Sequence, residues 1–124
     1  MNKTTLLTLA AIILITLGLS VWVFADANKP AVSNPQIDQF AKCLSDQGAV
    51  MYGAYWCSHC QNQKRLFGQS FELVNYVECT EDAAACEAAG ITGYPTWIFA
   101  DGSRLEGEAS FAQLAERTQC QLPK

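Results

Sequence analysis

Basic residues are few: eight lysines and arginines stand against twelve acids in 124 residues, for a net charge of −4. No basic stripe runs along any segment, which argues against nucleic acid as a partner. The length leaves room for one compact domain and no more. There is no internal repeat and no low-complexity segment outside the N-terminus. Long apolar runs are absent with one exception. Leu6 to Ala25 is broken only by Thr8, Thr16, Gly18 and Ser20, with Lys3 before it and Asp26 and Lys29 after it. A run near 20 residues fits a membrane anchor over residues 5–25. The positive start and Ala25-Asp26-Ala27 fit a signal peptide cleaved near Ala27. Either reading predicts an extracytoplasmic domain, held in the membrane or secreted or periplasmic after cleavage. The expected organisation is a signal peptide or anchor at 1–27, a linker at 28–35 containing two prolines and two asparagines, and a soluble domain at 36–124.

Cysteine, by contrast, is plentiful. Six in so short a chain, behind an export signal, indicate an oxidising compartment and disulfides. Cys57-Ser58-His59-Cys60 forms a Cys-x-x-Cys pair. Around it the patterning predicts alternating helices and strands. Asn34 caps and Pro35 opens a helix with Ile37, Phe40, Ala41 and Leu44 on one face, closed by Gly48. Ala49–Trp56 reads as a strand buried on both faces, and 58–68 as a helix. Leu73–Cys79 reads as a second strand, and 81–89 as a short helix capped by Thr80. Thr96–Ala100 and Ser103–Glu106 read as strands joined at Asp101-Gly102. Ser110 and Gln113 form a capping box before a last helix. The predicted fold class is α/β, three layers around a mixed sheet with an antiparallel hairpin at one edge.

Thiol exchange needs an attacking thiolate and a second thiol within reach. Cys57 at a helix start meets unpaired N–H groups and the positive end of the dipole, which favour a thiolate. Cys60, one turn on, closes the ring, and His59 adds a donor or a positive charge. The competing reading of a lone Cys-x-x-Cys is a zinc half-site. Its second half would be Cys79 and Cys86, spaced unlike a usual knuckle. The chemistry therefore points to redox, with no metal and no cofactor.

Trp56-Cys57-Ser58-His59-Cys60, followed by Gly93-Tyr94-Pro95-Thr96, resembles the thioredoxin superfamily. With Phe40–Leu44, Met51–Trp56, Gln61, Tyr76–Cys79 and Trp97, the sequence more closely resembles the thioredoxin-like domain fused to bacterial homologues of vitamin K epoxide reductase. The resemblance covers roughly 38–120 and implies a thioredoxin-like fold. It implies a cis Pro95 facing the redox pair, with Trp56 and Tyr94 at the substrate-binding surface and the Tyr94 backbone free to pair with an extended substrate strand. The reductase's own helical bundle has no counterpart here. The implied partners are exported cysteine-containing proteins and a membrane redox protein resembling that bundle. The sequence departs from the pattern in two places. Ser58-His59 keeps the histidine of oxidising members but lacks their proline. Met51 stands where thioredoxins carry a buried acid, six residues before the first cysteine, so proton removal from Cys60 is expected to be slower.

The remaining four cysteines allow three pairings. In such a fold Cys79 and Cys86 share the rim of the active site, while Cys43 and Cys120 lie at the opposite rim. The expected disulfides are Cys79–Cys86 and Cys43–Cys120, because bridging the rims exceeds the reach of a disulfide. The leading expectation is thus an extracytoplasmic thiol–disulfide oxidoreductase for oxidative folding. The alternatives are a membrane-tethered thiol reductase, as in cytochrome maturation, and a non-catalytic metal- or protein-binding module.

Overall fold

Local capping chemistry sets the helix starts of the domain. The computed structural model describes residues 2–26 and 33–124, and the chain divides into two units, Met1–Val32 and Ser33–Lys124. In the second unit, helix α2 (Pro35–Asp46) begins at Asn34, whose side chain accepts the Gln36 N–H at 3.0 Å. It ends where Gly48 takes a positive φ of 77°, a conformation that glycine adopts without steric penalty. Helix α5 (Phe111–Thr118) carries the full capping box: Ser110 Oγ accepts the Gln113 N–H, and Gln113 Oε1 accepts the Ser110 N–H at 2.9 Å. Helix α4 (Ala83–Ala88) starts later than predicted. Its cap is Asp82, which accepts the Ala85 N–H at 3.0 Å, because the Thr80 hydroxyl donates to Glu78 at 2.8 Å instead.

The strands are β1 (Val50–Gly53), β2 (Asn75–Glu78), β3 (Thr96–Ile98) and β4 (Arg104–Glu106), in the order β2-β1-β3-β4. β1 pairs parallel with β2; the β1–β3 and β3–β4 pairs are antiparallel. The fold is α/β around this mixed sheet, with the antiparallel hairpin at one edge. β1 stops at Gly53 rather than Trp56, because the Cys57 N–H turns back onto the Ala54 carbonyl at 3.0 Å. It also alternates, with Met51 and Gly53 buried and Val50 and Tyr52 half-buried, rather than burying both faces. Helix α3 (Ser58–Phe67) runs on into a 3-10 segment, Gly68–Leu73, that the sequence pattern did not show.

Aromatic packing gathers the helices on one face. Phe40 of α2, Phe67 of α3 and Phe111 of α5 meet with centroids 4.9 to 6.3 Å apart, and Phe67 lies 6.1 Å from Trp97 of β3. Trp97 is the cross-strand partner of Met51, so both point into this cluster. Buried Gln63 donates to the Ala109 carbonyl at 3.0 Å and accepts the Ala109 N–H at 2.6 Å, fixing the loop before α5 against α3.

Residues 3–26 form helix α1 in the first unit. Among the described residues no helix is long and apolar enough to cross a membrane. This corrects the expectation of an anchor at 5–25, and with it the predicted location. A hydrocarbon core needs about 20 consecutive apolar residues, and the α1 sequence is interrupted by Thr8, Thr16, Gly18 and Ser20. The proposed cleavage near Ala27 and most of the linker at 28–35, as far as Val32, lie outside the described residues.

A disulfide joins Cys43 of α2 to Cys120 beyond α5, across 77 residues. Closing so long a loop removes much unfolded-chain entropy. Replacing both cysteines by alanine should lower stability by about 4 kcal/mol in the chain-entropy account, read as a fall in the urea midpoint. A change below about 1 kcal/mol would contradict that account.

Candidate active site

The turn after β1 delivers Cys57 to the head of α3, where its sulfur is the N-cap and accepts the Cys60 N–H at 3.3 Å. The first-turn N–H groups and the helix dipole therefore converge on this sulfur. Cys57 and Cys60 are free thiols. They differ in access: Cys57 is 8% exposed at the surface and Cys60 is fully buried beneath it. The Cys57 thiol donates to the Tyr94 carbonyl at 3.7 Å, and the Tyr94–Pro95 peptide is cis. Trp56, 62% exposed, sits edge-on to Tyr94 with centroids 5.9 Å apart. Cys57, Trp56, Tyr94 and Pro95 thus form one rim.

His59 is bonded to Glu108 instead. Its Nδ1 lies 2.6 Å from Glu108 Oε1, which also accepts from Asn62 at 2.9 Å. The hydrogen bond from His59, with that from Asn62, holds the Glu108 carboxyl below its usual range. Among the described residues no hydrogen bond joins His59 to Cys57. Glu108 escaped the sequence reading because it lies in an irregular loop that is brought to α3 by the docking of Ala109 on Gln63.

Under the rim lies a second layer. A Cβ on Gly53 would fall 2.9 Å from Cys60 Sγ and 3.2 Å from the Tyr76 hydroxyl, so only glycine lets these groups approach the strand. A glycine inside an apolar strand is itself a sequence signal of such an approach. Burial, reinforced by the hydrogen bond with Cys57, pushes the Cys60 thiol up to about 12. Burial and then the bond it donates to Glu78, 2.7 Å long, hold the Tyr76 hydroxyl well above its ordinary range. Burial pushes the Glu78 carboxyl up. The bonds it accepts from Tyr76, Thr80 and the Tyr55 N–H outweigh that and hold it lower.

Cys79 at the end of β2 is joined to Cys86 of α4. They are therefore not available as the second half of a zinc site with Cys57 and Cys60. Among the described residues no group of three or more histidines, cysteines and acids is arranged to hold a metal ion.

The different access of the two thiols, with the raised proton affinity of Cys60, carries a testable consequence. Iodoacetamide at about pH 8 should label Cys57 and leave Cys60 intact in the reduced, folded domain. Peptide mass mapping checks it, and equal labelling of both would contradict the two-level arrangement.

No family model matches the chain. Thiol-disulfide oxidoreductase LTO1 of Arabidopsis thaliana is 46% identical over 95 residues, covering 69% of this chain and 25% of that protein. Protein disulfide isomerase-like 2-2 of Oryza sativa subsp. japonica is 35% identical over 86 residues, covering 57% and 23%. The chain thus spans about a quarter of the length of these curated relatives. A variant thioredoxin from Halobacterium salinarum NRC-1 aligns in structure with a TM-score of 0.44 and 23% identity, over 70% of this chain and 88% of that one. The likeness in sequence is thus to thiol–disulfide oxidoreductases and protein disulfide isomerases, each matched over part of its length.

Proposed function

We propose that this protein exchanges disulfides with other proteins, chiefly in the direction that oxidises substrate thiols during folding. The observation that carries the reading is the stacking of two thiols at one helix head, an accessible Cys57 that caps the helix over a buried Cys60. In the oxidising direction a substrate thiolate attacks the Cys57 sulfur of the Cys57–Cys60 disulfide, and Cys60 leaves as a thiol once protonated. A second substrate thiolate then attacks the mixed disulfide. The substrate disulfide forms, and Cys57 is released with the electron pair as a thiolate. Two further disulfides in the same domain suit oxidising surroundings.

The exposed ring of Trp56 and the Tyr94 backbone form the docking surface for an extended, unfolded segment, with Pro95 withholding a competing N–H. His59, between the two cysteines in the chain, is held by its bond to Glu108. The substrates in this reading are cysteine-containing proteins folding under oxidising conditions. Re-oxidation falls to a multi-helix membrane protein of the vitamin K epoxide reductase kind, on the strength of the resemblance in sequence.

Replacing Cys57 by serine should abolish oxidation of a reduced, unfolded ribonuclease. Cys60→Ser should instead accumulate a mixed disulfide with it, visible on a non-reducing gel. Turnover by Cys60→Ser at the native rate, with no adduct, would refute the division of labour between the two thiols.

A further inference from the structure

Resolution of a mixed disulfide requires a proton to leave Cys60, and this site lacks the acid that thioredoxins bury on the first strand. Met51 holds that position and is fully buried. The parallel register sets Tyr76 of β2 beside Met51, and Glu78 beside Gly53. Residues two apart on a strand share a face, so Tyr76 and Glu78 both reach toward the space that Gly53 leaves open. Cys60 Sγ and the Tyr76 hydroxyl both border that space, at 2.9 and 3.2 Å from the missing Cβ. Tyr76 already donates its hydrogen to Glu78 Oε2, so its oxygen lone pairs are free for a proton from the other side.

We propose that Tyr76 and Glu78 form a proton relay that serves Cys60 from the neighbouring strand, in place of the acid absent at Met51. The relay rests on the exchange reading above and deepens it. During resolution Cys60 passes its proton to the Tyr76 oxygen while Tyr76 passes its own to the Glu78 carboxylate. The Cys60 sulfur then bonds to Cys57, and the bond between Cys57 and the substrate sulfur breaks. The substrate sulfur leaves with the electron pair as a thiolate. The mixed disulfide is itself the oxidant, so no other reagent enters the step. In the opposite direction the proton returns from Glu78 through Tyr76 to the departing Cys60.

Chemistry around the relay fits this role. A thiol raised to about 12 by burial has almost no thiolate at neutral pH and needs a base. A carboxyl kept ionised at the half-buried end of β2 supplies one that opens to solvent. The other titratable or charged groups facing Cys60 and Tyr76 are Cys57, the N-cap of α3, and Lys64 within it, the Lys64 ammonium lying 3.8 Å from the Tyr76 ring centroid. Lys64 is a donor only and cannot accept the proton. β1 offers Met51 and Gly53, neither of which titrates. Thr80 and the Tyr55 N–H hold Glu78 in place.

Stopped-flow reaction with 5,5′-dithiobis(2-nitrobenzoate) separates the steps. Attack by Cys57 releases one nitrothiobenzoate in a concentration-dependent phase, and attack by Cys60 on the adduct releases a second in a concentration-independent phase. Glu78→Gln preserves the shape and the acceptor oxygen, and Tyr76→Phe removes only the hydroxyl; both keep Lys64. Each should leave the first phase unchanged and slow the second about 10- to 100-fold near neutral pH, the scale of general acid–base catalysis. The deficit should close as pH rises and hydroxide takes over as base. A second phase like the native one across the pH range, or equal slowing of both phases at every pH, would overturn the relay. A native protein that released only the first equivalent would sink the exchange reading itself, and the relay with it.

Discussion

Helix α3 begins on a sulfur atom, and the rest of the site follows from that. The Cys57 side chain satisfies one of the orphan N–H groups of the first turn, so the cap of the helix is itself a thiol of the pair. The cap works only if the chain leaves β1 at the right angle. The bond from the Cys57 N–H to the Ala54 carbonyl, and the absence of a side chain at Gly53, secure that. Phe67 at the far end of α3 anchors the helix in the aromatic cluster, and Gln63 midway ties it to the loop before α5. The helix is fixed at its head, middle and tail.

The same geometry divides the two thiols. One turn of helix carries Cys60 from the rim into the core, where charge is penalised and the thiol form wins. Cys57 keeps an opening to solvent beside Trp56 and Tyr94. Depth alone thus separates two neighbouring cysteines. The domain is also held by two disulfides, one closing Cys79 onto Cys86 after the end of β2 and one tying α2 to the C-terminal residues. A domain this small has a modest core, and such links compensate.

Several elements could be read directly from local chemistry. The Asn34 cap with Pro35, and the Ser110–Gln113 box, act within four residues, so the sequence states them outright. The start of α4 could not be read this way. Thr80 and Asp82 are both acceptable caps, and the choice turns on Glu78, which draws the Thr80 hydroxyl to itself. The apolar N-terminal run shows the limit of composition: length in the sequence suggested a span, while the described residues of α1 do not provide one.

What the sequence by itself determined is the chemistry available: two cysteines at Cys-x-x-Cys spacing, at the junction of an apolar run and a helix, with a histidine between them. Those features are local, and one helical turn is enough to relate them. Tertiary structure alone decided the surroundings. It turned His59 toward Glu108, 49 residues away in the chain, and brought Tyr94 and a cis Pro95 against Cys57. It also set Tyr76 and Glu78 of a neighbouring strand around the gap at Gly53. Proton affinity depends on burial and on partners across the sheet, and strand register fixes both. No window of the sequence contains that register, because it forms only when β1 and β2 pair beneath the docked helix.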